Sequence, residues 1–232
     1  ITIKEALTRS RNLASINLMQ SIGVDRAVKK LGEFGFKNVP PALSVAIGSY
    51  GISPLEYSTM YSMFPGLGIT AKSKFIVSIT DKDGKTRFIE PERRRVLRPE
   101  QAYLMTTLLK NIVQRGTGTR ARVQGIDIAG KTGTSNDSID AWFCGFTPDL
   151  QIIIWYGNDD YKPMRKVEGG GRTAAPVFAK FLDAYLKEYP QTKRNFTVPD
   201  GVFSRQYNGK DEYYTKISPL PKPRESSSDG SL

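Results

Sequence analysis

The stretch from Gly125 to Thr134, GIDIAGKTGT, constrains the fold of this chain more than any other segment. Its first eight residues match G-x-x-x-x-G-K-T, the pattern of a phosphate-binding loop, which needs a buried strand before it and a helix directly after its Lys-Thr. Such a loop would belong to a parallel α/β sheet. If the stretch is instead an extended strand, a different fold class follows.

The residues around this motif favour the strand. The turn interior would be 126–129, Ile-Asp-Ile-Ala, and β-branched isoleucines resist the positive φ angles that a phosphate-binding nest requires. The residues after Thr132, Gly-Thr-Ser-Asn-Asp-Ser, are a poor helix start. The hydrophobic run QIIIWYGND follows Lys131 too closely to leave room for a helix and a strand between them. The sequence therefore predicts a strand from Gly125 to Ser135.

This predicted strand would place its side chains alternately on two faces. Lys131 and Gly133 would share one face, and Thr132 and Thr134 the other. Gly133 leaves the backbone bare, so an extended ligand could lie alongside and pair with the strand. Lys131 would supply a positive charge, and Thr134 or Ser135 a hydroxyl, for a ligand carboxylate.

Helices precede strands along the chain, which predicts an α+β fold with an antiparallel sheet, covering helices and a helical subdomain. Apolar spacing predicts helix over Lys4–Ile22, as one helix or as two that meet at Ser10-Arg11-Asn12. Further helices are predicted over Val24–Phe34, Ser53–Phe64, Pro99–Arg115 and Thr173–Tyr189. Further strands are predicted over Lys74–Thr80, Thr86–Ile89, Ala141–Phe146 and Gln151–Tyr156. Loops are predicted over Lys37–Gly51 and Arg93–Arg95.

The domain organisation is expected to be one main domain and a tail. Residues 1–190 form the predicted domain, and 191–217 a short extension with weak strand character from Phe196 to Tyr214. Residues 218–232, SPLPKPRESSSDGSL, are polar and proline-rich and are predicted to be disordered. Ile1 already continues a helical pattern, so the chain is expected to be a piece of a longer protein, incomplete at its N-terminus.

The composition excludes several chemistries. The chain contains no histidine, so it cannot form a Ser-His-Asp triad, and no metal site is predicted. Its single cysteine, Cys144, lies in the apolar run AWFCGF and is predicted to be a core residue. The formal charge of +11 is compatible with nucleic acid, an anionic membrane or an acidic polymer. No nucleic-acid-binding motif accompanies it, so no nucleic-acid partner is predicted.

Ser10-Arg11-Asn12 has the form S-x-N, and Lys131-Thr132-Gly133 is K-T-G followed by Thr134. The order of these two motifs resembles that of penicillin-recognising serine enzymes. The resemblance covers roughly residues 1–189 and is to the transpeptidase domain of class A penicillin-binding proteins. It extends to four further segments: Glu5-Ala6-Leu7, Arg115-Gly116-Thr117-Gly118-Thr119, Ala141-Trp142-Phe143 and Gly170-Gly171-Arg172-Thr173-Ala174-Ala175-Pro176.

This resemblance implies the penicillin-binding protein and serine β-lactamase-like transpeptidase fold, and acyl transfer through a serine ester. The expected substrates are peptidoglycan stem peptides ending in D-Ala-D-Ala, and β-lactam antibiotics would mimic that dipeptide. No cofactor is expected. The implied location is the extracytoplasmic, periplasmic face of the bacterial cell membrane, with the anchor and a glycosyltransferase half upstream of this chain.

The resemblance also implies a role for each motif residue. Ser10 would relay a proton towards the leaving amine, and Asn12 would bond the substrate's side-chain amide and the lysine of the family's S-x-x-K motif. Lys131 would help to hold the substrate carboxylate and keep a neighbouring lysine deprotonated. Thr134 would bind the carboxylate and complete an oxyanion hole with its backbone N–H. The implied substrate-binding strand comprises Thr132, Gly133, Thr134 and Ser135.

One motif of the resemblance is missing. The nucleophile should be the serine of S-x-x-K, yet no lysine here has a serine three positions earlier. The nearest variant, Thr107 to Lys110, lies after Ser10 and so in the wrong order. The resemblance therefore implies that an upstream segment or a second chain carries S-x-x-K, and that this chain alone is inactive.

Two other functions stay open from the sequence. A hydrolase of the same fold, either a β-lactamase or a D,D-carboxypeptidase, would pass the acyl group to water. The E-x-x-L-N string of class A β-lactamases does not occur here, which weighs against that alternative. A chain without a nucleophile could instead only bind peptidoglycan or a partner.

Overall fold

A computed structural model describes residues 1–207 and 209–220 and shows the predicted α+β fold. The helices are α1 (Ile3–Thr8), α2 (Asn12–Ile22), α3 (Val24–Phe34), α4 (Pro54–Tyr61), α5 (Pro99–Arg115) and α6 (Ala175–Glu188). The strands are β1 (Ile69–Ala71), β2 (Ser78–Thr80), β3 (Thr86–Phe88), β4 (Arg93–Arg95), β5 (Ala129–Thr134), β6 (Asp140–Phe146), β7 (Gln151–Gly157), β8 (Phe203–Tyr207) and β9 (Lys210–Tyr214).

The main sheet consists of β5, β6 and β7 in sequence order, all antiparallel. Lys131 pairs with Cys144, and Gly133 pairs with Trp142, so these four residues share one face. Thr132 pairs with Phe143 on the opposite face. The alternation predicted for the strand around Lys131 is therefore confirmed.

Hydrophobic packing covers both faces of this sheet. On the Lys131 face, Tyr61 of α4 and Ile112 of α5 pack with Cys144 and other buried residues. On the Thr132 face, the ring of Phe143 meets the ring of Phe178 of α6, with centroids 4.9 Å apart. Both rings are fully buried. The sheet is thus held rigidly between two helical layers, which fixes the position of Lys131.

The predicted strand at Gly125 begins later in the structure, at Ala129. Gly125 has a left-handed φ of 77° and lies in a turn before the strand. The backbone N–H of Asp127 donates to the carbonyl of Arg194 at 2.7 Å, and its carboxylate lies 2.7 Å from the ammonium of Lys110. These residues therefore dock the C-terminal extension instead of extending the sheet.

The structure also rules out a phosphate-binding loop here. Lys131 and Thr132 lie inside β5, which continues to Thr134. A short turn over Asn136–Ser138 follows where a long helix would be required.

Two predicted loops contain regular structure. Arg93–Arg95 form β4, which pairs antiparallel with β1, so the prediction of a loop is wrong there. The three residues are nevertheless exposed, because an edge strand satisfies its backbone on one side while its charged side chains stay in water. The predicted loop Lys37–Gly51 includes one 3₁₀ turn, Leu43–Ile47.

The C-terminal extension contains a hairpin of β8 and β9, within the stretch of weak strand character in the sequence. Tyr213 packs edge-on against Tyr103 of α5, with ring centroids 5.5 Å apart. The boundary predicted at residue 190 stays a prediction. Residues 221–232 of the predicted disordered tail, 218–232, lie outside the described residues. Within the part of the chain that is described, no helix is long and apolar enough to cross a membrane.

Candidate active site

Ser10 occupies a strained turn between α1 and α2. The N–H of Ser10 donates to the carbonyl of Leu7 at 3.1 Å, and that of Arg11 donates to Ala6 at 2.8 Å. This pair of bonds is a Schellman motif, which requires a left-handed residue and usually has glycine there. Ser10 adopts the left-handed φ of 52° despite its side chain. Such strain is often found at functional sites, since the side chain is needed at that position.

The side chain of Ser10 meets Lys131 across the fold. The Nζ of Lys131 donates to the Oγ of Ser10 at 2.8 Å and to its neighbour's carbonyl, Thr132 O, at 2.6 Å. Ser10 and Lys131 are 121 positions apart in the chain, so tertiary packing alone creates this contact. The fold therefore brings the S-x-N and K-T-G motifs together.

Burial destabilises the charged form of Lys131. Burial lowers the pKa of Lys131 from 10.5 to about 8, because an ammonium loses hydration next to the sheet and its helices. A pKa near neutrality lets the lysine exist in both protonation states under ordinary conditions. The Ser10 hydroxyl both donates and accepts, so this pair can pass a proton in either direction.

Cys144, the strand partner of Lys131, is not a second nucleophile. Its side chain is buried, and burial raises the pKa of the thiol to about 12. A thiol that stays protonated is unreactive, because the thiolate is the nucleophilic form. The prediction that Cys144 is a core residue is confirmed.

Thr132 anchors β5 from the other side. Its hydroxyl lies 2.6 Å from the hydroxyl of Thr117, which belongs to the segment after α5. The N–H of Thr117 donates to the carbonyl of Thr8 at 3.3 Å, at the end of α1. Thr117 therefore links the strand of Lys131 to the helix that precedes Ser10, and both motifs are held by one bridge.

Thr134 lies at the exposed end of β5 next to a glycine-rich turn. Its Oγ1 accepts a hydrogen bond from the backbone N–H of Gly170 at 3.0 Å. None of the described residues accepts the hydroxyl proton of Thr134, so this proton is available to a ligand. A Cβ at Gly170 would lie 2.1 Å from the carbonyl oxygen of Trp142, so only glycine lets this turn approach the strand.

The remaining predicted residues have different surroundings. Asn12 is the first residue of α2, two positions after Ser10, and is exposed; among the described residues no hydrogen bond joins its side chain to Lys131. Ser135 closes the turn from β5 to β6, where its Oγ accepts the N–H of Asp140 at 2.7 Å. Gly133 is partly buried against Trp142.

A cavity of about 930 Å³ opens on the Lys131 face of the sheet. Residues Lys131 to Ser135 line one side, and the segment from Val45 to Tyr57 lines another. Trp142 forms part of the wall of this cavity. The volume suits a peptide-sized ligand laid along the strand.

Sequence reasoning missed many of the residues that line the cavity, among them Asp140, Trp155 and Tyr161. No motif marks them, although Asp140 directly precedes the Ala-Trp-Phe segment that carries part of the resemblance. In β7 the apolar run hides that Trp155 faces the cavity instead of the core. For metals, the described residues contain no cluster of three or more suitable side chains.

Comparison with known proteins identifies the family. The family described as penicillin binding protein transpeptidase domain matches residues 1–183. Penicillin-binding protein 1A of Neisseria meningitidis serogroup A is 37% identical over 96% of this chain and 28% of its own length. Penicillin-binding protein 1A of Aquifex aeolicus is 32% identical, over 91% of this chain and 29% of that protein. The chain thus spans less than a third of the curated relatives it matches.

Solved structures share the fold. Penicillin-binding protein 1A from Haemophilus influenzae superposes with a TM-score of 0.85 at 24% identity, covering 96% of this chain and 41% of that one. Penicillin-binding protein A from M. tuberculosis was solved as an imipenem acyl-enzyme complex. It has a TM-score of 0.65 at 20% identity, covering 80% of this chain and 48% of that one. Because the family match covers residues 1–183, the chain belongs to the penicillin-binding protein transpeptidase domain family.

Proposed function

We propose that this chain forms one part of a peptidoglycan D,D-transpeptidase, which cross-links stem peptides through a serine acyl-enzyme. The hydrogen bond between Ser10 and Lys131 carries this proposal, because it unites S-x-N and K-T-G around a lysine with a lowered pKa. The substrates are stem peptides ending in D-Ala-D-Ala, and β-lactams are inhibitors. A relative with the same fold was solved as an imipenem acyl-enzyme.

Different residues of the cavity act in substrate binding and in proton transfer. Lys131 and the free hydroxyl proton of Thr134 hold the substrate carboxylate, and β5 pairs with the extended peptide along its open edge. Ser10 passes a proton to the departing D-alanine amine, with Lys131 as its charged neighbour. Asn12 bonds the substrate amide from the start of α2.

The nucleophile is supplied from outside these 232 residues, by an upstream segment or a second chain with S-x-x-K. The chain by itself is then inert towards β-lactams. The assembled enzyme works at the extracytoplasmic, periplasmic face of the membrane, and its anchor also lies outside this chain. These proposals rest on the missing S-x-x-K string and on relatives more than three times as long.

Labelling with a fluorescent penicillin tests the proposal in the complete enzyme that contains this chain. Ser10→Gly removes the hydroxyl but suits the left-handed turn, so it isolates the chemistry from the fold. Asn38→Gly, at another left-handed and exposed position, is the matched control. We expect the acylation rate to fall about 100-fold or more for Ser10→Gly and Lys131→Met, and to be unchanged for Asn38→Gly.

Mapping of the labelled peptide decides where the nucleophile lies. We expect the label on a serine of an S-x-x-K sequence outside residues 1–232, and none on the isolated chain. A covalent adduct on the isolated chain would refute the external nucleophile. Unchanged acylation in both variants would remove the catalytic roles of Ser10 and Lys131.

A further inference from the structure

The cavity has an aromatic wall at some distance along the sheet from the proton-transfer pair. Trp142 and Trp155 are direct partners across β6 and β7, with ring centroids 6.4 Å apart and planes inclined by 53°. Tyr161 also lines the cavity and is 77% exposed, at a left-handed φ of 56°. Trp155 is 38% exposed. All three rings therefore face the same open space.

A carboxylate lies within this aromatic wall. Asp140 is two residues before Trp142 on the same face of β6, and its Oδ1 accepts the Nε1–H of Trp155 at 2.8 Å. Its other oxygen receives no hydrogen bond from any described residue, and no described lysine or arginine forms a salt bridge with it. Trp155 therefore fixes the orientation of a carboxylate that still has a free acceptor.

The charges of the cavity favour a cation. Its charged lining residues are Glu56, Asp140 and Lys131, so two carboxylates face one amine. The lysine ammonium is already bonded to Ser10 and to its own strand. Electron-rich ring faces attract an ammonium or guanidinium group, and an adjacent carboxylate adds a charge-assisted hydrogen bond.

We propose that Trp142, Trp155, Tyr161 and Asp140 form a subsite for a primary ammonium group of the substrate peptide. The free oxygen of Asp140 accepts an ammonium N–H, and the rings cover the alkyl chain that carries the amine. This inference rests on the proposed function, since it gives the substrate peptide a cationic side chain. The ammonium belongs either to the donor peptide, which also carries the terminal carboxylate, or to the acceptor peptide.

The chain's own fluorescence tests this subsite without any acylation. Its two tryptophans are Trp142 and Trp155, so every tryptophan signal comes from the subsite. The probe is Nα-acetyl-L-lysinamide, and its Nε-acetylated form is the uncharged control. We expect saturable quenching with the free amine, and a Kd at least about tenfold higher for the acetylated form, because acetylation removes the charge.

Asp140→Asn is the test variant, since asparagine can still accept the Trp155 hydrogen bond while it lacks the charge. Asp137→Asn is the matched control, an exposed carboxylate three residues away that does not line the cavity. We expect at least a tenfold higher Kd for the first and no change for the second. Equal Kd values for the free and acetylated amines in the unaltered chain would overturn the proposal, whatever the variants do.

A second probe, Nα-acetyl-L-lysyl-D-alanyl-D-alanine, distinguishes the two sources of the ammonium. Tighter binding than the amide probe, lost in Lys131→Met, assigns the subsite to the donor peptide. Equal binding of both probes assigns it to the acceptor. Ammonium binding without penicillin acylation of the complete enzyme would refute only the proposed function, and acylation without ammonium binding would refute only the subsite.

Discussion

The lowered pKa of Lys131 predicts that its charge destabilises the fold at neutral pH. A group that loses its proton more easily in the folded state costs stability below its folded pKa. This cost shrinks as the pH rises from about 8 towards 10.5, the ordinary value for lysine. With about 1.4 kcal/mol for each pH unit between those values, the cost is about 3 kcal/mol at pH 7 and about 1 kcal/mol at pH 10.

Lys131→Met removes the titrating group and keeps a side chain of similar length. The variant also loses the hydrogen bond to Ser10, but a neutral lysine keeps N–H donors, so that loss changes little with pH. We therefore expect the difference in unfolding free energy between the two proteins to change by about 2 kcal/mol between pH 7 and pH 10. The unaltered protein gains relative to the variant as the pH rises.

Urea unfolding at both pH values, followed by circular dichroism, measures this change. Burial raises the pKa values of Tyr57 and Tyr61, so their ionisation weakens both proteins equally in alkali and cancels in the comparison. Lys29→Met, at an exposed position of α3, is the matched control and should show no such pH dependence. A difference between Lys131→Met and the unaltered protein that is the same at pH 7 and pH 10 would refute the reasoning.

Three further variants test the supports of the site, each by urea unfolding unless stated otherwise. Thr117→Val should cost about 1–2 kcal/mol through its lost hydroxyl contact with β5, and no cost would contradict that bridge. Gly170→Ala should cost about 1–3 kcal/mol, because its Cβ would meet the Trp142 carbonyl at 2.1 Å. Asp127→Ala breaks the pair with Lys110 and should speed proteolysis of residues 190–220; an unchanged cleavage rate would count against that docking.

Much of the fold follows from local patterns. The helix Pro99–Arg115 matches its predicted bounds, because proline begins it and glycine follows it. The break at Ser10 could not be decided from sequence, since a serine in a left-handed turn carries no local signal and depends on what its side chain contacts. Arg93–Arg95 was missed as a strand because its pairing with β1 is a long-range interaction.

The candidate site, like the fold, could be predicted from the sequence only in part. Lys131, Thr132 and Thr134 can be placed on their faces from the strand period of two alone. The contacts of Thr117 with Thr132 and of Gly170 with Thr134 could be recognised only in the folded chain, because these residues lie on separate elements. Asp140 and Trp155 stayed hidden because an apolar strand does not reveal which of its side chains borders a cavity.

By itself the sequence determined the chemistry that is available: a lysine and hydroxyls in order, no imidazole and an antiparallel strand in place of a phosphate-binding loop. Only the tertiary structure decided that Ser10 meets Lys131 and that this lysine has a pKa of about 8. The physical reason is that residue identity and the spacing of apolar side chains are properties of the local sequence. Burial and the approach of distant side chains arise only when helices close over both faces of the sheet.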